Sequence, residues 1–251
     1  MTYGEKILAE ADRINAEAEK VKGIYEAGAK SEYDLFWDTF QANGTRKNYN
    51  YAFHTNGWND ANFRPKYDIV PTSCQYAFDS CAVTDMAKIM RECGVRFDFS
   101  KATSGLNAFR NAKVTTLPEM DISTLTDVRG MFSGTYSLHT IEKLIVSEKT
   151  GSYTGVNDAY VAFTYANALK NIVFEGEWAV HLDMRYCPLS KESIISAINV
   201  LSSTATSKTV TLKKTAVNSA FETAEGLKDG SASQEWADLI ATKSNWTISL
   251  V

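Results

Sequence analysis

The sequence lacks most of the residue patterns that mark chemistry. Its three histidines, His54, His139 and His181, lie far apart and in no metal-ligand spacing. There is no H-E-x-x-H, no phosphate-binding P-loop and no dinucleotide glycine fingerprint. The Gly-x-Ser-x-Gly elbow of serine hydrolases is absent too, although Ser133-Gly134 and Ser137 come near it. These gaps point away from an enzyme, a metal site and a cofactor. The four cysteines, Cys74, Cys81, Cys93 and Cys187, match no zinc spacing and read as small buried core residues. With 26 basic against 30 acidic side chains the chain has no basic bias, which argues against nucleic acid and anionic lipid as partners. No apolar run reaches 18 residues, so no membrane insertion is expected. The charged, Ala-rich start lacks the apolar core of a secretory signal, and folding in the cytosol is expected.

What is present is organisation. Hydrophobic residues make up 44% of 251 positions, ample for a buried core. Residues 5 to 29 read as one helix with a heptad stripe of Ile7, Ala11, Ile14, Ala18, Val21, Tyr25 and Gly28. Such a stripe serves an oligomerising stalk or docking helix, or else folds back on its own domain. Residues 31 to 66 open with Ser31 as a helix N-cap before Leu35, Phe36, Trp37 and Phe40. Tyr49, Tyr51, Phe53, Trp58 and Phe63 follow among Asn, Gly and Asp, as in the lid that a stack of repeats needs at its end.

Residues 67 to 187 contain an internal repeat. Phe97-Asp98-Phe99-Ser100 through Ala108-Phe109 aligns without a gap with Met120-Asp121-Ile122-Ser123 through Met131-Phe132, at a period of 23. An earlier copy starts at Tyr67-Asp68-Ile69 and ends at Ala77-Phe78. The corner residues Phe78, Phe109, Phe132 and Phe163 are spaced 31, 23 and 31, and Met184 marks a degenerate fifth. One such unit cannot bury both faces of its strand, so each Phe is expected to pack on its equivalent in the next. Segments 141–146 and 169–174 are expected to pair as parallel strands. Asp68, Asp98 and Asp121 recur in register, which favours structural bonds to turn or neighbouring backbone amides over catalysis. Residues 188 to 251 read as an α/β cap: a helix from Ser190, a strand at 209–212, helices at 217–223 and 234–242, and a last strand at 246–250.

The run Asp121-Ile122-Ser123, Thr126-Asp127-Val128, Met131-Phe132 resembles the BspA-type leucine-rich repeats of bacterial surface proteins. Phe78 to Cys81 keeps the cysteine of the related A-F-x-x-C-x-x-L form, and the likeness spans about residues 67 to 185. The flank from Ser31–Trp37 through Pro65-Lys66-Tyr67-Asp68 and the ending Asn245 to Leu250 resemble tail or baseplate appendages of phages and prophages of gut Firmicutes. The resemblance implies an α/β repeat solenoid, leucine-rich-repeat-like with short parallel strands, an N-terminal helix and caps. It also implies a non-catalytic structural or receptor-binding virion component for host recognition, assembled in the bacterial cytoplasm, or a bacterial surface adhesin. Its partners would be a host-surface glycan or protein, or other virion proteins, with homo-oligomerisation through a coiled coil of the N-terminal helix. The alternative from another class is a tail-borne polysaccharide depolymerase, for which no carboxylate pair stands out. Tyr136, Tyr165 and Tyr186 follow the corner residues, and Trp178 lies in a polar stretch. If exposed they suit sugar stacking or a protein hot spot, and otherwise they pack between coils.

Overall fold

Phenylalanine stands at 53, 78, 109, 132 and 163, and in the computed structural model these buried rings form one column. Consecutive centroids are 4.8, 5.0, 5.8 and 5.2 Å apart, with planes no more than 21° from parallel. Burying each ring contributes roughly 1.5–3 kcal/mol. The structure describes residues 13, 15–17, 19, 33, 36–37, 48–55, 57–152, 161–221 and 233–251. The chain divides into two compact units, Met1–Ala42 and Asn43–Val251.

In the first unit Arg13, Asn15, Ala16, Glu17 and Glu19 are helical and exposed, with Arg13 3.7 Å from Glu17 one turn on. Tyr33, Phe36 and Trp37 are also helical, and Phe36 meets Trp37 edge-on at 5.4 Å. The stripe residues Ile7, Ala11, Ile14, Ala18, Val21 and Tyr25 lie outside the described residues.

In the second unit Phe53 heads the column, and Trp58 and Phe63 each pack edge-on against it at 5.4 Å. Phe53, Trp58 and Phe63, expected as part of a lid, therefore share a core with the repeat. Around each Phe the backbone hydrogen bonds alternate. The N–H groups of Cys74, Tyr76, Phe78 and Ser80 donate to the carbonyls of Ser104, Leu106, Ala108 and Arg110 in the next segment, at 2.7–3.1 Å. Those of Ala77, Asp79 and Cys81 donate within the segment to Cys74, Tyr76 and Phe78. Gly105, Asn107, Phe109 and Asn111 repeat the outward set toward Asp127, Arg129, Met131 and Ser133. Every buried amide in this pattern is satisfied without a regular strand.

The alternation has a backbone signature. Residues two before and two after the Phe have positive φ: Tyr51 and Thr55, Tyr76 and Ser80, Asn107 and Asn111, Gly130 and Gly134, then Tyr165. At Gly130 and Gly134 an added Cβ would have to displace an asparagine side chain of the neighbouring copy. A Cβ on Gly130 would lie 2.1 Å from Asn107 Oδ1, and one on Gly134 2.2 Å from Asn111 Oδ1.

The opposite side of the later segments forms a parallel sheet of β1 (Thr116–Leu117), β2 (Met120–Asp121), β3 (Thr140–Val146) and β4 (Asn171–Gly176). Both β1 and β2 pair with β3, through Leu117↔Ile141 and Met120↔Leu144. Pro118, which has no N–H to give the ladder, separates them. A register shift between Ile141 and Leu144 marks a bulge in β3 against β4. The expected pairing of 141–146 with 169–174 is present, shifted two residues later at its second strand. Asp98 and Asp121 each accept from the backbone N–H two residues on, at 3.0 and 2.9 Å. Asp68 instead grips Arg96 of the neighbouring segment through N–H and Nε, at 3.0 and 3.1 Å.

One helix was not expected from the sequence: α1 (Met86–Cys93), capped by Asp85 and closed by Gly94 at φ 66°. Met86 lies in the core at the start of this helix. The C-terminal region continues with β5 (Leu182–Met184), α2 (Lys191–Asn199), β6 (Lys208–Leu212), α3 (Lys214–Ala220), α4 (Gln234–Ala241) and β7 (Trp246–Leu250). Strands β5, β6 and β7 form a second parallel sheet in chain order. Ser190 caps α2, as its sequence suggests. Helix α2 also closes the first sheet: Ser193 and Ser196 hydroxyls accept from the N–H groups of Ile172 and Phe174, each at 2.8 Å. The cysteines are free, and Cys74, Cys81 and Cys187 are buried while Cys93 is partly exposed. Burial pushes the Cys81 thiol up to about 12.

Candidate binding face

The turn column holds its interior Phe on one side and presents outward side chains on the other. Tyr136 is 62% exposed and Tyr165 47% exposed. Tyr165 sits at φ 59°, a conformation that costs a non-glycine residue roughly 1–2 kcal/mol. Equivalent places in earlier segments hold Thr55, Ser80, Asn111 and Gly134. The Tyr165 ring lies 4.8 Å from the half-buried Tyr186 at a 45° tilt, so the two rings are not stacked flat. Gly134 donates to the Thr164 carbonyl at 2.8 Å, which sets the Tyr136 turn beside the Tyr165 turn. The three tyrosines thus lie in consecutive segments, Tyr165 and Tyr186 two residues after their corner residue and Tyr136 four.

Trp178 is not part of that face. It is 1% exposed, packs 6.3 Å from Phe174, and makes no indole N–H hydrogen bond among the described residues. Its backbone is clamped to Val200 and Ser202 by bonds of 2.8 Å each, which seats the side chain in the core. The polar neighbours that suggested exposure, Glu175, Gly176 and Glu177, are the exposed ones.

Sequence reasoning missed a second tyrosine pair. Tyr51 and Tyr76 stack at 4.9 Å with planes 4° apart, and the Arg110 guanidinium lies 5.2 Å above Tyr76. Arg110 is fixed by two bonds to Asp79, at 3.1 and 2.8 Å. The signal was legible as the repeated tripeptide Tyr51-Ala52-Phe53 and Tyr76-Ala77-Phe78.

The strand side has a different character. Lys143 on β3 bridges Glu119 at 3.2 Å and Glu175 on β4 at 3.1 Å, while Arg91 of α1 pairs with Glu142. Beyond the strand ends a groove of about 490 Å³ is lined by Ser123, Thr124, Val146, Ser147, Glu148, Lys149 and Glu177. The Ser202 hydroxyl lies 3.1 Å from Glu148 Oε1 and 3.4 Å from Glu177 Oε2. Thr204 and then Ser202 hold the Glu148 carboxyl below the usual carboxylate range. Among the described residues no three His, Cys, Asp or Glu side chains gather to hold a metal ion, and no helix is long and apolar enough to cross a membrane.

Comparison with family models, with curated proteins and with solved structures returned no match.

Proposed function

We propose that the chain is a non-catalytic binding and structural protein, a leucine-rich-repeat-like solenoid that uses its turn face to recognise a surface glycan or protein. The observation that carries this reading is Tyr165. Its ring is exposed on a left-handed backbone position where Asn or Gly would be less costly, and it stands among two further tyrosines in adjacent segments. The left-handed backbone recurs along the column, at Tyr51 and Tyr76 among others; what sets Tyr165 apart is an exposed ring tilted 45° off its neighbour Tyr186, where Tyr51 lies flat on Tyr76. The resemblance to phage tail and baseplate appendages supports a virion location and host recognition, with a bacterial surface as the alternative setting. Sedimentation of the full chain with bacterial envelope fractions tests the reading. Retention that falls when Tyr136 and Tyr165 are both replaced by Ala supports it, and unchanged retention rejects the tyrosine face. Light scattering of the full chain against a variant with Ile7, Ile14 and Val21 replaced by Glu tests oligomerisation through the N-terminal helix.

Glu148 and Glu177 favour a second reading, a polysaccharide depolymerase, because two carboxylates that converge in an open groove are what glycoside hydrolysis requires. Both are solvent-exposed, without the burial that keeps a catalytic acid protonated, so this reading ranks second. Release of reducing ends from envelope polysaccharide, abolished by Glu177→Gln, would reverse that order.

A further inference from the structure

We infer that the ligand of the Tyr136–Tyr165–Tyr186 face is an uncharged carbohydrate polymer, an inference that rests on the recognition reading above. The first support is what the face lacks. From Gly130 to His139 and from Val161 to Leu169 there is no Lys, Arg, Asp or Glu. Of the cations that flank these stretches and Tyr186, Arg129 is held by the buried Asp127 at 2.9 Å and Arg185 by the buried Asp183 at 2.7–3.0 Å, while Lys170 is exposed just beyond Leu169. An anionic polymer, a capsular polyuronate or a nucleic acid, needs unpaired Lys or Arg to replace its counterions. Protein hot spots are enriched in Trp, Tyr and Arg, and of these the two stretches offer only tyrosine.

The second support is what the face offers. The exposed side chains of the two stretches are Tyr136, Tyr165, Ser137 and Asn167, with His139 and Val161 at their edges. A neutral sugar has an apolar C–H face and a rim of hydroxyl donors and acceptors, the complement of such a set. Tyrosine, serine and asparagine supply rigid apolar contact and adaptable hydrogen bonding without charge. The tilt between Tyr165 and Tyr186 keeps their rings from covering one another fully.

The Tyr51–Tyr76 pair sharpens the assignment by contrast. There each ring covers the other, and the second face of Tyr76 is under Arg110. His54 packs edge-on against Tyr51 at 5.5 Å. Those rings are committed to one another and to the Arg110–Asp79 pair, so that end of the column is structural.

Affinity electrophoresis of the full chain through gels containing a neutral β-glucan, mannan or galactan, and separately polygalacturonate, tests the inference. At least one neutral polymer is expected to retard the chain equally at about 50 and 200 mM salt, since no counterions are released. Tyr165→Asn, which suits the left-handed backbone, should weaken that binding by about tenfold, whereas Tyr165→Phe should keep most of it. Tyr76→Asn should leave it unchanged. Retardation by polygalacturonate alone, falling steeply with salt, overturns the inference, as does neutral binding that Tyr165→Asn does not alter. If envelope sedimentation depends on Tyr165 while none of the neutral polymers binds, the carbohydrate assignment fails and the recognition reading stands. If wild-type chain is not retained by envelope either, both fail.

Discussion

Between Asn48 and Ala166 the corner side of the segments stacks through left-handed turns, with parallel strands β1 to β3 confined to the opposite side, whereas from Leu182 to Leu250 the described segments stack through parallel strands alone. In the turn column alternate amides bond forward to the next segment and back within their own, and each Phe is flanked by positive-φ residues. In the C-terminal sheet Val210, Leu212, Ile248 and Leu250 sit in paired strands, and β-branched side chains suit that pleat. The difference teaches that neighbouring segments can be joined by two backbone chemistries in one chain. The turns place side chains at sharply angled corners, and three of the exposed tyrosines, Tyr51, Tyr136 and Tyr165, lie there, while Tyr67 lies outside them. The strands need no left-handed residue, and Val210 and Leu212 of the central strand go inward.

The largest effect expected is from breaking the column at its middle. Phe109→Ala removes a ring stacked between Phe78 and Phe132 and should destabilise the chain by about 3–5 kcal/mol. Hydrogen exchange would show which amides follow. Loss of protection confined to the donors Cys74 to Asn111, with Val210 and Leu212 still protected, makes the two regions separate cooperative units. Parallel loss in both makes them one.

Glycine substitutions come next. Gly176, at φ 100°, closes β4, and a Cβ there would lie 2.1 Å from the Val146 carbonyl oxygen. Gly176→Ala should cost about 3 kcal/mol, because backbone, unlike a side-chain tip, cannot step aside. Gly94 at the end of α1 has φ 66°, but nothing lies within 4 Å of where an added methyl would sit. Gly94→Ala should therefore cost only about 1 kcal/mol. Chemical denaturation of the two variants separates steric from conformational cost.

A smaller effect should come from the join between the two regions. Ser193→Ala leaves the buried Ile172 N–H without its hydroxyl acceptor and should cost about 1–2 kcal/mol. Exchange at Ile172 should accelerate more than at Leu182, whose strand pairs with β6 instead.

Much of this arrangement was written in the sequence. The Phe spacing marked the column, the hydrophobic runs marked β3, β4, β6 and β7, and Ser190 marked the start of α2. The left-handed ladder was not legible, because Tyr51, Thr55, Tyr76 and Ser80 occupy positions that only Asn and Gly would have announced. Three-residue β5 is too short to show a period, and Trp178 looked exposed because burial depends on Phe174 and on backbone bonds from Val200 and Ser202, remote in the chain. The same non-locality hid Glu148 and Glu177, which come together beside Ser202, remote from both in the chain.

The smallest expected effect contrasts two histidines. In the turn column His54 Nδ1–H donates to the Tyr51 carbonyl at 2.7 Å, a bond that a protonated ring also makes. In the C-terminal sheet His181 Nδ1 accepts from the Thr209 N–H at 3.0 Å, which requires a neutral ring with its proton on Nε2. Burial, and then the charge of Lys208, hold the His181 pKa below the ordinary histidine value. Between the lowered folded value and the unfolded value the unfolded chain binds more protons, so stability rises with pH across that window. The contribution is complete above about pH 6.5 and is lost as pH falls through the folded pKa. Exchange at the Thr209 amide should therefore quicken on acidification from about pH 7 to 5, after correction for intrinsic rates, while the Phe53 amide, bonded to the Ala77 carbonyl, holds. In His181→Asn the side-chain oxygen accepts at either pH, and the extra acceleration at Thr209 should disappear. If it persists, acid acts on β6 through another group, and the contrast between a donating and an accepting histidine does not distinguish the two regions.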